Sequence, residues 1–198
     1  MMALTSMNRI FSVGNGGSFA LGHGNRQTIT EFRPIDSFSD IGIRIKTIAC
    51  GMNHSGCITD KGKVYMWGIT SDISYSSEMK DKCLLRTPTL ISFPSNSESG
   101  MRAKSRDVNV TDLKLGENFS IALSSNGKVY TWGANELGQL CNGDDQPVAE
   151  PTLVNSIKDT ISVIGCGLKH CVVITNDFEM YSWGSNVLGQ LGVRTDEI

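Results

Sequence analysis

The chain has no long hydrophobic run, no excess of basic residues and only three histidines. Each shortage removes a class of function. A bilayer-spanning helix needs roughly 20 apolar residues in a row, and no segment approaches that, so membrane insertion is not expected. The start, Met1 to Phe11, shows no basic stretch leading into an apolar core. That argues against a secretory signal and for the cytoplasm or nucleus. The 18 Lys and Arg stand against 20 Asp and Glu, a formal charge of −2. Proteins that coat nucleic acid through its phosphates carry a basic surplus, so neither such coating nor direct sequence-specific nucleic-acid binding is expected. Without a secretory signal, the sequons at Asn53, Asn109 and Asn118 are expected to stay unmodified.

The six cysteines, at 50, 57, 83, 141, 166 and 171, include no C-x-x-C pair. Cys50-His54-Cys57 and Cys166-His170-Cys171 resemble zinc half-sites. They read better as small core residues, because Cys57 shares its register with Ala122 and Val173. No metal and no cofactor is expected. Gly14-Asn15-Gly16-Gly17 lacks the Gly-Lys-Ser/Thr ending of a phosphate loop. No Ser-His-Asp or paired-carboxylate arrangement stands out, so no catalytic residue is assigned and the chain reads as a non-enzyme.

What is present is repetition. Val64-Tyr65-Met66-Trp67-Gly68 returns as Val129-Tyr130-Thr131-Trp132-Gly133 and as Met180-Tyr181-Ser182-Trp183-Gly184. A degenerate earlier copy has Val13-Gly14 in the Trp-Gly place. Gly51, Gly116 and Gly167 each precede a Trp by 16 residues, and each lies three before His54, Phe119 or His170. Self-similarity of this kind marks a modular fold. The constant block reads as a β-hairpin, because His54, Gly56 and Ile58 alternate with Ser55, Cys57 and Thr59, and the later copies do likewise. Its turns are Asp60-Lys61-Gly62, Ser125-Asn126-Gly127 and Asn176-Asp177-Phe178. Phe178 departs from the glycine rule, so a different turn geometry is expected there, and little helix anywhere. The extra length of the middle copy falls between Pro88 and Gly116, around residues 93–106, and reads as a surface loop insertion.

In its last copy the phrase runs Trp183-Gly184-Ser185-Asn186-Val187-Leu188-Gly189-Gln190-Leu191-Gly192. With a proline and the Gly-x-x-His landmark between copies, it resembles the repeat of the regulator of chromosome condensation family. Trp132 to Cys141 matches except that Cys141 replaces the last Gly. The first copy keeps Gly14, Asn15, Leu21 and Gly22. The second keeps only Trp67-Gly68. The resemblance implies an all-β fold, a partial β-propeller of four-stranded antiparallel blades. The repeats fall at about 11–63, 64–128, 129–179 and 180–198, in one incomplete propeller domain over 1–198. Half a ring leaves open sheet faces. Three expectations compete: a fragment of a longer propeller, closure by self-association or by a second half-propeller, and an open arc with tolerant ends.

The repeated residues Trp67, Gly68, Trp132, Gly133, Trp183, Gly184, Gly51, His54, Gly116, Gly167 and His170 are read as structural landmarks. His54 and His170 hold equivalent places and Phe119 fills the third, so imidazole chemistry is not required there. The leading expectation is a protein-interaction scaffold that uses its loops. Arg102, Lys104 and Arg106 in the insertion suit an acidic partner. The founding member of the family exchanges guanine nucleotide on a Ran-type small GTPase, and the resemblance makes that the alternative.

Overall fold

The computed structural model describes residues 1–38, 42–71, 76–94 and 108–193. Four antiparallel sheets follow one another along the chain. The first holds β1 (Met2–Leu4), β2 (Ile10–Gly14) and β3 (Ile29–Pro34). The second holds β4 (Ile45–Cys50), β5 (His54–Thr59), β6 (Val64–Ile69) and β7 (Leu84–Leu90). The third holds β8 (Val110–Leu115), β9 (Phe119–Ser124), β10 (Val129–Gly133) and β11 (Val148–Leu153). The fourth holds β12 (Ile161–Cys166), β13 (His170–Thr175) and β14 (Met180–Gly184). Each is an up-and-down meander, and β4, β8 and β12 lie side by side. This is the blade arrangement of a propeller arc.

The cores lie between sheets. Ile10, Ile35, Phe38, Ile45, Cys57 and Trp67 fill the seam between the first and second. Ile58, Val64 and Met66 meet Leu113, Ala122, Tyr130 and Trp132 at the next. Phe119, Ile121, Leu123, Val129 and Leu140 meet Ile161, Ile164, Cys171, Val173 and Trp183 at the last. Every residue of β5 and β9 is therefore buried, whereas β13 alternates between buried and half-buried. The small-residue register of Cys57, Ala122 and Val173 is fully buried. Near the pivot the sheets share backbone hydrogen bonds: Met52 N donates to Gly116 O (3.1 Å) and Glu117 N to Leu168 O (2.9 Å).

Helix is scarce among the described residues. A 3-10 turn spans Asp36–Phe38. One helix, α1 (Ser77–Cys83), interrupts the second repeat, with the Ser76 side chain accepting a hydrogen bond from Met79 N. That is an ordinary N-cap. Thr70 N donates to Cys83 O (3.0 Å) and closes the excursion.

The hairpin turns are four copies of one geometry. Asn8, Gly62, Gly127 and Phe178 each donate N–H to the residue three before, at 2.9–3.2 Å, and all have φ between +64° and +73°. The expectation of another geometry at Phe178 is thereby corrected: its ring is exposed, so the side chain clashes with nothing and the residue accepts the left-handed conformation. That conformation costs an L-residue about 1–2 kcal/mol. Phe178→Gly is expected to raise stability by about 1 kcal/mol, read as a shifted urea midpoint.

Candidate functional site

Most of the recurrent residues are occupied in holding the sheets. The ladder between the strand that carries the tryptophan and the strand after it shifts register at the tryptophan place, between Met66 and Gly68 in β6 and between Thr131 and Gly133 in β10. The same shift occurs between Ser12 and Gly14. A bulge re-aims the side chain it carries. The following residue then takes a glycine conformation, φ +123°, +100°, +114° and +98° at Gly14, Gly68, Gly133 and Gly184. Trp67, Trp132 and Trp183 are buried. Trp67 Nε1 donates to Ala20 O and Trp183 Nε1 to Gln139 O, each at 2.9 Å. Ala20 and Gln139 hold the same place in the loops of the first and third repeats. Trp67 and Trp183 thus each clamp the loop of the repeat before their own.

The second landmark has an equally local cause. A Cβ on Gly51 would lie 2.7 Å from the His54 ring, and on Gly116 or Gly167 still closer to Phe119 or His170. The ring three residues on lies over each bare glycine. His54 is fully buried, its Nε2 3.2 Å from Ser120 Oγ and its Nδ1 without a partner among the described residues. Burial pushes its pKa down to about 4. His170, at the equivalent place on the fourth sheet, is half-buried. Because the unfolded chain binds a proton near pH 6.5 and the folded one only near 4, stability is complete above pH 6.5 and falls as pH drops toward 4. The loss is about 3 kcal/mol. His54→Phe, the residue type found at 119, is expected to flatten that acid limb in denaturation curves taken from pH 7 to 4.

The phrase after Trp-Gly folds into a compact loop. Leu140 N donates to Asn135 Oδ1 and Leu191 N to Asn186 Oδ1. Leu137 N donates to Gln139 Oε1, and Leu188 N to Gln190 Oε1. In the first repeat Gly16, rather than Asn15, holds the asparagine place. Asn15 Oδ1 instead accepts from Gly17 N at 2.7 Å. Cys141, at a glycine place of the phrase, has φ +54°.

Arg102, Lys104 and Arg106 lie outside the described residues. No group of three or more His, Cys, Asp or Glu able to hold a metal occurs among the described residues. No helix there is long and apolar enough to cross a membrane. One cluster carries no signal in linear sequence. The ring of Phe19, in the first loop, has the Arg26 Cζ 5.0 Å and the Arg86 Cζ 5.6 Å from its centroid. Arg86 comes from β7 of the second sheet, 67 residues after Phe19, and only the fold brings it there. The outer face of the fourth sheet is the other distinctive surface. Met180 is exposed there, whereas Val129, at its place on the third sheet, is buried, and Val187 and Leu188 are exposed in the loop that follows β14.

Comparison with known proteins fits this geometry. The profile of the regulator of chromosome condensation (RCC1) repeat matches residues 8–58 and 126–174, and a second profile of the same description matches 110–139 and 161–190. Human HERC2, named an E3 ubiquitin-protein ligase, is 28% identical over 98% of this chain and 5% of its own length. RUG3 of Arabidopsis thaliana, named a mitochondrial RCC1 domain-containing protein, is 32% identical over 96% of this chain and 41% of its own. Yeast RCC1 (Prp20), solved with Kap60, superposes with a TM-score of 0.75 at 23% identity, over 98% of this chain and 43% of that one. A second Prp20p structure, from Saccharomyces cerevisiae, concerns its binding to Gsp1p and histones. The chain spans less than half the length of each of these relatives.

Proposed function

The chain belongs to the regulator of chromosome condensation repeat family, and we propose that it works as a non-enzymatic scaffold for protein partners. One observation carries this reading. The residues that recur are taken up by packing between sheets, and the repeats differ from one another in their exposed loops. Exposed variation on a rigid frame suits partner recognition. We assign Arg102, Lys104 and Arg106 of the 93–106 insertion to contact with an acidic partner. In cross-linking capture, the Arg102→Glu/Lys104→Glu/Arg106→Glu variant is expected to lose proteins that the unaltered chain retains. Identical recovery would remove these three residues from the proposal.

The outer face of the fourth sheet fits a further sheet bearing the Trp-Gly phrase. Gln190 stands where Ala20 and Gln139 accept an indole. A second copy of this chain presents Val13 at that place, so a second half-propeller with tryptophan fits better than head-to-tail self-pairing. The compartments that suit this reading are cytoplasm and nucleus.

The second reading is guanine-nucleotide exchange on a Ran-type GTPase. It is favoured by the likeness to Prp20p, whose structure concerns binding to Gsp1p. Release of labelled GDP from such a GTPase separates the two. The scaffold reading expects the unassisted rate at micromolar chain, and marked acceleration would support exchange.

A further inference from the structure

The loop of the first repeat breaks its own pattern at Phe19. The same turn recurs three times, with Phe19, Gly138 and Gly189 donating N–H to Gly16, Asn135 and Asn186 at 2.9–3.0 Å. Phe19 has φ +60° where the two glycines have +70° and +72°. A residue with a Cβ is strained there, and strain of this kind points to a use. The hydrophobic core does not supply one. Phe19 is 7% exposed yet belongs to none of the three clusters between the sheets. It serves instead as a platform for Arg26 and Arg86.

Both arginines are exposed, and neither makes an ion pair among the described residues. Gly24 N donates to Arg86 O (3.2 Å), which ties the loop carrying Arg26 to β7 across the seam. In the third-sheet loop the place of Arg26 is held by Asp145, so the positive charge is particular to this loop. An aromatic face attracts a guanidinium and fixes its plane, which lowers the ordering cost of a later contact. Stacking leaves the in-plane N–H groups free to grip a carboxylate with two parallel hydrogen bonds.

We propose that Arg26 and Arg86, held on Phe19 at the seam between the first and second sheets, bind an acidic peptide segment of a partner protein. The two Cζ atoms lie within about 11 Å of one another, given their distances to the shared ring. Carboxylates at alternate positions of an extended strand, about 7 Å apart, fall within that limit. A nucleic acid fits less well, since its affinity is built from many phosphate contacts and two cations supply few. The site rests on the scaffold reading but is independent of the 93–106 insertion.

Anisotropy of a fluorescein-labelled Asp/Glu dodecapeptide, against the Asn/Gln peptide of equal length, tests the site on the 198-residue chain. The acidic peptide is expected to bind about tenfold more weakly to Arg26→Gln/Arg86→Gln, with thermal midpoints close to the unaltered chain because both side chains are exposed. Arg26→Lys/Arg86→Lys keeps the charge and loses the planar fork, so it should fall between. Equal affinity of the unaltered and Gln forms would overturn the proposal. So would equal binding of the neutral peptide, full binding by the Lys form, or tighter binding of a single-stranded oligonucleotide. The GDP-release and capture experiments do not involve these arginines, so failure of this site and failure of the scaffold reading are read separately.

Discussion

Gly133→Ala is expected to lower the stability of the chain severely, while Gly189→Ala lowers it only slightly. Both glycines have positive φ, +114° and +72°. Their surroundings differ. A Cβ on Gly133 would lie 2.4 Å from Asn118 O, 2.5 Å from Phe119 Cα and 2.8 Å from Thr70 O, all of them backbone atoms. Nothing lies within 4 Å of a Cβ on Gly189. The first substitution therefore adds an unrelieved collision with the backbone at the start of β9 and just after β6 to the strain of the dihedral. The second adds only the left-handed penalty, about 1 kcal/mol. A collision with fixed backbone belongs to the rare class of substitutions above about 4 kcal/mol. Domains of this kind are stable by only about 5–15 kcal/mol, so that loss takes a large share of the margin. Urea denaturation followed by tryptophan fluorescence reads both. A Gly133→Ala midpoint within 0.5 M of the unaltered chain, on the order of 1 kcal/mol at ordinary slopes, contradicts the bulge geometry.

Trp67→Ala is the second large effect, expected to cost about 3–5 kcal/mol. The ring is fully buried between the first and second sheets, touching Phe38 at a centroid distance of 6.1 Å. Its removal opens a cavity that rigid sheets fill poorly. It also removes the donor to Ala20 O, which is worth about 1 kcal/mol. Trp67→Phe keeps most of the ring and loses that bond, so its cost should be well below that of the alanine. A second signature goes with the clamp. The loop Ser18 to Gly22 is pressed against the indole, with a Cβ on Gly22 only 3.0 Å from Trp67 Nε1. Losing the ring should make that loop a site of limited proteolysis, and a loop still resistant in Trp67→Ala would count against the clamp.

The Trp-Gly phrase was readable because a bulge and a positive φ leave almost no choice of residue after the tryptophan. The four-sheet fold follows from it. Where the backbone repeats and the sequence departs, the sequence misleads. The four described non-glycine residues with positive φ, Asn8, Phe19, Cys141 and Phe178, stand at places that other repeats give to glycine. Residue type alone suggested a new turn at Phe178, but cooperative pairing of β13 with β14 holds the old one. Helix α1 follows directly on the stretch where the second copy loses its loop phrase, and its Ser76 cap has no counterpart in the other described repeats. The Phe19 platform was illegible for another reason. Arg86 and Phe19 are far apart in the chain, and only the seam between sheets joins them.

Hydrogen exchange along the 198-residue chain tests most directly whether the sheets are copies stabilised by their neighbours. In a stack of that kind, protection follows the number of covered faces. Amides of β5 and β9, covered on both sides, are expected to exchange slowest, and those of β13 and β14, with one face open, markedly faster. Equal protection in β9 and β13, or slower exchange in β13, would contradict the stacked-sheet arrangement.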